Sequence, residues 1–298
     1  MGVSAALLEP GRRTVERWAW ASVVANTVIV LTGGLVRLTG SGLGCPTWPR
    51  CTDQSFVPHR ELGVHGVIEF GNRMLTYVLV AVALGTLVAV WRWAESGPTT
   101  RRLAAVLALG IPLQGVIGGV TVLTDLNPWI VAFHLLLSMA LIAGSMILVV
   151  RVRGVASTPV PARSAALTRI TLGMLIVVVY LGTVVTGSGP HAGDAGSPRN
   201  GLDPHVMSHV HAGGVYLLIA LTVGTILSLR GTPAVRFALV LLAVEMAQGT
   251  IGFVQYFTDL PVAVVAAHLV GAALLVATGT RLVLAAAPAR VPAGADVG

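Results

Sequence analysis

A chain of 298 residues that is 55% hydrophobic and 10% charged, with a mean hydropathy of +0.84, has too little polar surface for an ordinary water-soluble domain. Its formal net charge of +7 rests on 19 basic residues, all of them arginine. Those arginines follow a membrane topology, so nucleic-acid binding is not needed to explain the charge.

Stretches of the roughly 20 apolar residues needed to cross a bilayer predict eight helices, over 18–38, 63–91, 103–124, 128–150, 168–187, 206–229, 235–257 and 261–284. The first is too long, and too poorly followed by a small-residue cleavage site, to be a removable signal peptide. Arg12, Arg13 and Arg17 precede helix 1, Arg92, Arg101 and Arg102 join helices 2 and 3, Arg151, Arg153 and Arg163 join 4 and 5, and Arg230 and Arg236 join 6 and 7. The positive-inside rule puts these segments and both termini in the cytoplasm. The loops at 39–62, 125–127, 188–204 and 258–260 then face out.

The first outer loop reads TGSGLGCPTWPRC and holds both cysteines, Cys45 and Cys51. Its compartment permits disulfides, and a mutual disulfide is the expected state, with a thiol that reacts during the protein's work left open. The spacing is not that of covalent haem attachment, and two cysteines are too few for a structural zinc site. Helix 2 then carries His65, Glu69, Asn72 and Arg73. Steps of four and three place His65, Glu69 and Asn72 on one helical face, and Arg73, four residues past Glu69, can pair with it.

Residues 114–134 and 248–268, QGVIGGVTVLTDLNPWIVAFH and QGTIGFVQYFTDLPVAVVAAH, align without a gap at an offset of 134. They share Gln114/Gln248, Gly118/Gly252, Thr124/Thr258, Asp125/Asp259 and His134/His268 inside otherwise drifting apolar sequence. The run Thr39-Gly40-Ser41-Gly42 after helix 1 returns as Thr186-Gly187-Ser188-Gly189 after helix 5. Each half is therefore expected to hold four helices, and an even number returns the chain to its starting side. The expected architecture is an all-α polytopic membrane protein of eight transmembrane helices, built as two parallel, pseudo-symmetric four-helix bundles. Residues 1–154 form the first half, 155–285 the second, and 286–298 a flexible cytoplasmic tail.

His134 and His268 each lie nine residues past the Asp of an outer turn, about 13 Å along a helix. His211 enters helix 6 to a similar depth, about 10 Å past Pro204. Imidazoles at matched depth inside apolar helices are expensive to bury and mark a site. Facing helices of a four-helix bundle commonly hold haem iron in this way. The ligands lack the close paired spacing of a zinc hydrolase. Arg37, Arg50, Arg60 and Arg199, near the outer face, are candidates to pair with haem propionates.

Taken together, the outer-loop run TGSGLGCPTWPRC, the IEFGNR run at 68–73, the HA pair at 211–212, the duplicated QG-IG-V segments and His134 and His268 resemble the haem A synthase (COX15/CtaA) family over essentially the whole chain. That resemblance implies an enzyme that oxidises the ring D methyl of haem O to a formyl group by two successive hydroxylations and loss of water, giving haem A. It implies a haem b cofactor in the second half on His211 and His268, and substrate haem O in the first half with His134 on its iron. Glu69 matches the family's catalytic carboxylate, and Cys45 and Cys51 match its outer-loop pair. Where the family commonly has a histidine three residues after that Glu, this chain has Asn72, a poor haem ligand. His65 can take its place in the substrate site, or His134 holds the substrate alone. The implied setting is a bacterial-type cell membrane, with the lipid bilayer, haem O and haem A, a haem O synthase and an electron donor as partners, no nucleic acid, and a homo-oligomer left open.

Two other classes fit parts of this pattern. A di-haem b-type protein passing electrons to or from quinone requires paired imidazoles in both halves. Asn72 and Glu69 favour an enzyme instead, since a reactive site needs an exchangeable position and an acid/base group. A transporter requires broken helices at the site, and only Pro112 lies well inside one.

Overall fold

The computed structural model describes residues 9–289. Eight helices in it are long and apolar enough to cross a membrane: α1 Arg12–Leu38, α2 Gly63–Arg92, α3 Pro98–Leu123, α4 Pro128–Arg153, α5 Ala162–Ser188, α6 Pro204–Ser228, α7 Val235–Phe257 and α8 Val262–Ala285. The protein is an all-α multi-pass membrane protein. The observed helices begin earlier than hydropathy indicates at their arginine-bearing ends: α1 starts at Arg12, α3 at Pro98 and α5 at Ala162. Hydropathy ends with the apolar run, whereas the backbone ladder continues through polar turns that carry their own charges into water.

Local sequence starts and stops the helices. Asn127 caps α4 by accepting the Trp129 N–H at 3.0 Å, and Asp203 caps α6 by accepting that of Val206 at 2.9 Å. In each the next residue is proline, whose missing N–H costs nothing at a first helical position. Gly154 ends α4 in the left-handed conformation that favours glycine. The Thr124–Leu126 and Thr258–Leu260 turns are alike: Asp125, Leu126, Asp259 and Leu260 all have positive φ, between 53° and 59°.

Within residues 12–153 each helix packs on the next and α4 packs back on α1; within 162–285 the order is the same, with α8 packing back on α5. Across this division α8 packs on α1 and α4, and α4 on α5. The buried core runs through these contacts and includes Ile142, Leu148, Leu175, Leu241 and Leu282, while Leu109, Tyr77 and Phe257 are 69% to 75% exposed. In a membrane protein such apolar side chains face lipid.

The one sheet among the described residues is a parallel pair, β1 Thr158–Val160 with β2 Ala286–Pro288. The first residues of the expected tail thus pair with the segment joining α4 to α5. Residues 290–298, the rest of that expected tail, lie outside the described residues, as do residues 1–8.

Candidate functional site

His134, the seventh residue of α4, His211, the eighth of α6, and His268, the seventh of α8, sit at like depths from the cysteine-bearing end. Each ring rests over a glycine of a neighbouring helix. A Cβ added to Gly118 would stand 3.4 Å from His134 Cε1, at Gly252 3.6 Å from His268 Cε1, and at Gly182 3.3 Å from His211 Cε1. Glycine therefore makes room for the imidazole. Gln114 Nε2 donates to the His134 carbonyl at 3.1 Å, and Gln248 Nε2 donates to that of His268 at 2.9 Å.

Nδ1 of all three rings is buried without a hydrogen-bond partner, although His211 lies against the Val178 carbonyl. A buried polar nitrogen left unpaired costs free energy in a folded protein. His211 and His268 are close enough to influence one another electrostatically. Such imidazoles, bonded to no other side chain and walled by apolar helices, fit the donor set of a haem iron. Among the described residues no three His, Cys, Asp or Glu side chains converge as they would on a directly coordinated metal ion.

The first half differs on α2, the second helix of its set as α6 is of the other. Asn72 lies on α2, and its Oδ1 accepts the Thr32 hydroxyl of α1 at 2.8 Å. His65 stands exposed in the first turn of α2, with Nδ1 2.9 Å from Ser41 Oγ. Nearly two helical turns, about 10 Å of rise, separate it from Asn72.

Glu69 is 5% exposed and has both oxygens engaged. Oε2 accepts the Cys45 N–H at 2.6 Å, and Oε1 accepts from Arg73 Nε at 3.1 Å and from its Nη2. Arg73 also donates to the carbonyls of Cys45, Thr47 and Arg50. This pair therefore staples the cysteine loop to α2. Cys45 and Cys51 form a disulfide with a Cα–Cα distance of 4.4 Å. Beyond it the Trp48 ring lies where a Cβ of Gly119 would be, so the loop closes over α3.

The 39–62 and 188–204 loops are also tied to each other. Gly42 N–H donates to the Gly193 carbonyl at 2.8 Å, and Leu126 sits against both glycines. Arg37 donates to the carbonyls of His191 and Thr186, and Arg199 to those of Ser197 and Pro190. Burial and the Arg37 charge hold the His191 imidazole below its ordinary pKa. Between α6 and α7 His205 Nε2 meets Tyr256 OH at 2.8 Å, beside the His209 ring.

Sequence reasoning missed two features. Gly182 supports the His211 ring, and its place in an unremarked stretch of α5 gives no signal. Glu245, 2% exposed in α7, could have been found: an acid ten residues into an apolar span is itself the signal.

The chain matches the family model described as cytochrome oxidase assembly protein, COX15-CtaA, over residues 16–280. It is 28% identical over 221 residues to a protein named Heme A synthase from Methylorubrum extorquens, covering 62% of this chain and 57% of that protein. It is also 28% identical over 138 residues to a Heme A synthase of Listeria welshimeri, covering 46% and 45% of the two chains. The chain thus spans between about half and three fifths of the length of these curated relatives. A family match over nearly all the membrane helices, on a frame that sets buried imidazoles over glycines, establishes that the chain belongs to the COX15-CtaA family of cytochrome oxidase assembly proteins.

Proposed function

We propose that the protein is a haem A synthase, which oxidises the ring D methyl of haem O to a formyl group by two successive hydroxylations and loss of water. The observation that carries this reading is an unequal ligand set on like helices. His211 and His268 offer two buried imidazoles in the second half, whereas the first half offers His134 and, on α2, Asn72 bonded to Thr32. The names of the relatives point the same way.

In this reading His211 and His268 hold a resident haem b, which supplies one-electron transfer when bound. His134 would hold the iron of substrate haem O, and Asn72, a poor iron ligand, would leave room for an exchangeable small ligand, with His65, engaged by Ser41 in the first turn of α2, not needed there. An electron-carrying role alone would call for a second imidazole at that position. Glu69 is the proton-handling carboxylate of this half. Arg73 and the Cys45 N–H orient it, and the disulfide loop with Trp48 closes the mouth against water. By the positive-inside rule the arginine-rich end and both termini are cytoplasmic, in a bacterial-type cell membrane. A supplier of haem O and an electron donor are the partners this chemistry requires.

A pyridine haemochrome spectrum of the purified protein tests the reading. Haem b together with haem O or haem A is expected; haem b alone, or no haem, would overturn it. His211→Ala and His268→Ala should each strip haem b. Glu69→Gln should keep haem b and accumulate haem O or a hydroxylated intermediate. Wild-type haem A yield from stable Glu69→Gln protein would leave Glu69 only the task of holding the loop.

A further inference from the structure

The second buried carboxylate of the membrane helices lies outside the site just described. Glu245 is 2% exposed, midway along α7. Its Oε1 accepts the Thr222 hydroxyl of α6 at 2.7 Å, and its Oε2 is buried with no partner. The titratable groups on the helices packed against it are His205, His209, His211 and Tyr216 on α6 and His268 and Arg281 on α8, with Arg236 and Tyr256 on α7 itself. None forms an ion pair with it among the described residues. A carboxylate ion without a counter-charge in such a place is very costly, so the group rests protonated and neutral unless a positive charge, such as that of a ferric haem, stands near enough to hold the ion.

Two observations give that proton a direction. Glu245 shares a face of α7 with Gln248 and Gly252, which touch the His268 backbone and ring. Seven residues separate Glu245 from Gly252, about 10 Å of rise. Toward the arginine-rich end a stripe of hydroxyls follows. Thr222, Thr225 and Ser228 recur at three-residue steps on α6, and Ser164, Thr168 and Thr171 lie on α5, which packs against it. The Thr171 and Thr225 hydroxyls are 2.9 Å apart, and Ser164 Oγ donates to the Ser228 carbonyl at 3.2 Å. Ser164 is 2% exposed, and Thr168, Thr171, Thr222 and Thr225 are fully buried.

The first half carries no such acid. At the offset of 134 residues Ile111 stands for Glu245, and Ala83, eleven residues past Asn72, stands for Thr222, eleven past His211. These two line a cavity of about 10 Å³ beside Ser22 and Thr86. The acid belongs only to the half with two imidazoles.

We propose that Glu245 is a redox-linked proton site, fed from the arginine-rich face along the α5–α6 hydroxyl stripe, that takes up a proton when the haem held by His211 and His268 is reduced. The balance is one electron to ferric iron, giving ferrous iron, and one proton from water to the Glu245 carboxylate, giving the neutral carboxyl. Both steps reverse on oxidation. The electron comes from any one-electron donor, dithionite in the test. This rests on the haem b assignment of the proposed function.

The test uses the purified holoprotein, poised oxidised and then reduced with dithionite. The haem b midpoint potential should fall with rising pH in the wild type and lose most of that slope in Glu245→Gln. The reduced-minus-oxidised infrared spectrum should gain a protonated-carboxyl band that shifts in D₂O and is missing in Glu245→Gln. Thr225→Val should keep the slope and slow hydrogen–deuterium exchange of that band. An unchanged slope and band in Glu245→Gln with haem b bound overturns the proposal alone, and unchanged exchange in Thr225→Val overturns the route. If Glu245→Gln does not fold, Glu245→Asp serves: a shifted band supports the assignment and an unshifted one overturns it. Purified protein without haem b overturns both this proposal and the reading beneath it.

Discussion

In the proposed reading the chemistry of the first half turns on Asn72. A carboxamide held by the Thr32 hydroxyl does not replace an imidazole on iron, so a haem on His134 would keep one position open to a small ligand. Asn72→His should fill it. Wild-type protein carrying both haems is expected to show a high-spin component that binds carbon monoxide, and Asn72→His should convert it to a low-spin form with most of that binding lost. Undiminished carbon monoxide binding in the variant would place Asn72 away from the iron. The candidate residues His134, His211, His268 and Glu69 stand out in the sequence as polar groups in apolar spans, a signal that Glu245 shares. Gly182 does not stand out, because a glycine that makes room for a ring looks the same in sequence as one that lets two backbones approach.

At the scale of elements, helix existence could be read from hydropathy and helix ends from capping residues such as Asn127 and Asp203. The cysteine loop could not. Its shape depends on contacts between residues far apart in the chain, Trp48 on Gly119, Gly44 against the His65 carbonyl and Arg73 on three loop carbonyls, which no local pattern encodes. Gly119 is the sensitive point, since any side chain there meets the indole ring. Gly119→Val should destabilise the closed loop by about 1–3 kcal/mol, the usual cost of overpacking. Faster reduction and alkylation of Cys45 and Cys51 would report it, with the visible spectrum of haem b in the second half unchanged. Alkylation at the wild-type rate would mean that Trp48 does not hold the loop.

At the scale of the molecule, the two sets of four helices meet through α8 on α1 and α4, and the loops after α1 and α5 are joined by the Gly42–Gly193 bond with Leu126 against both glycines. Within the membrane Leu269 of α8 packs on Gly34 of α1, and lipid can replace apolar contacts of that kind if the halves are parted. Residues 155–289 expressed alone should therefore fold and bind one haem b with the spectrum of two imidazole ligands. Haem-free or aggregated protein would show that the first half is needed for the second to form. The β1–β2 pair gives this expectation a topological basis, because β1 leads into α5 and β2 follows α8, side by side. A unit whose entry and exit meet at one seam can be lifted out, permuted or strung in tandem with a short joint and no rerouted loops, and residues 154–161 are such a joint.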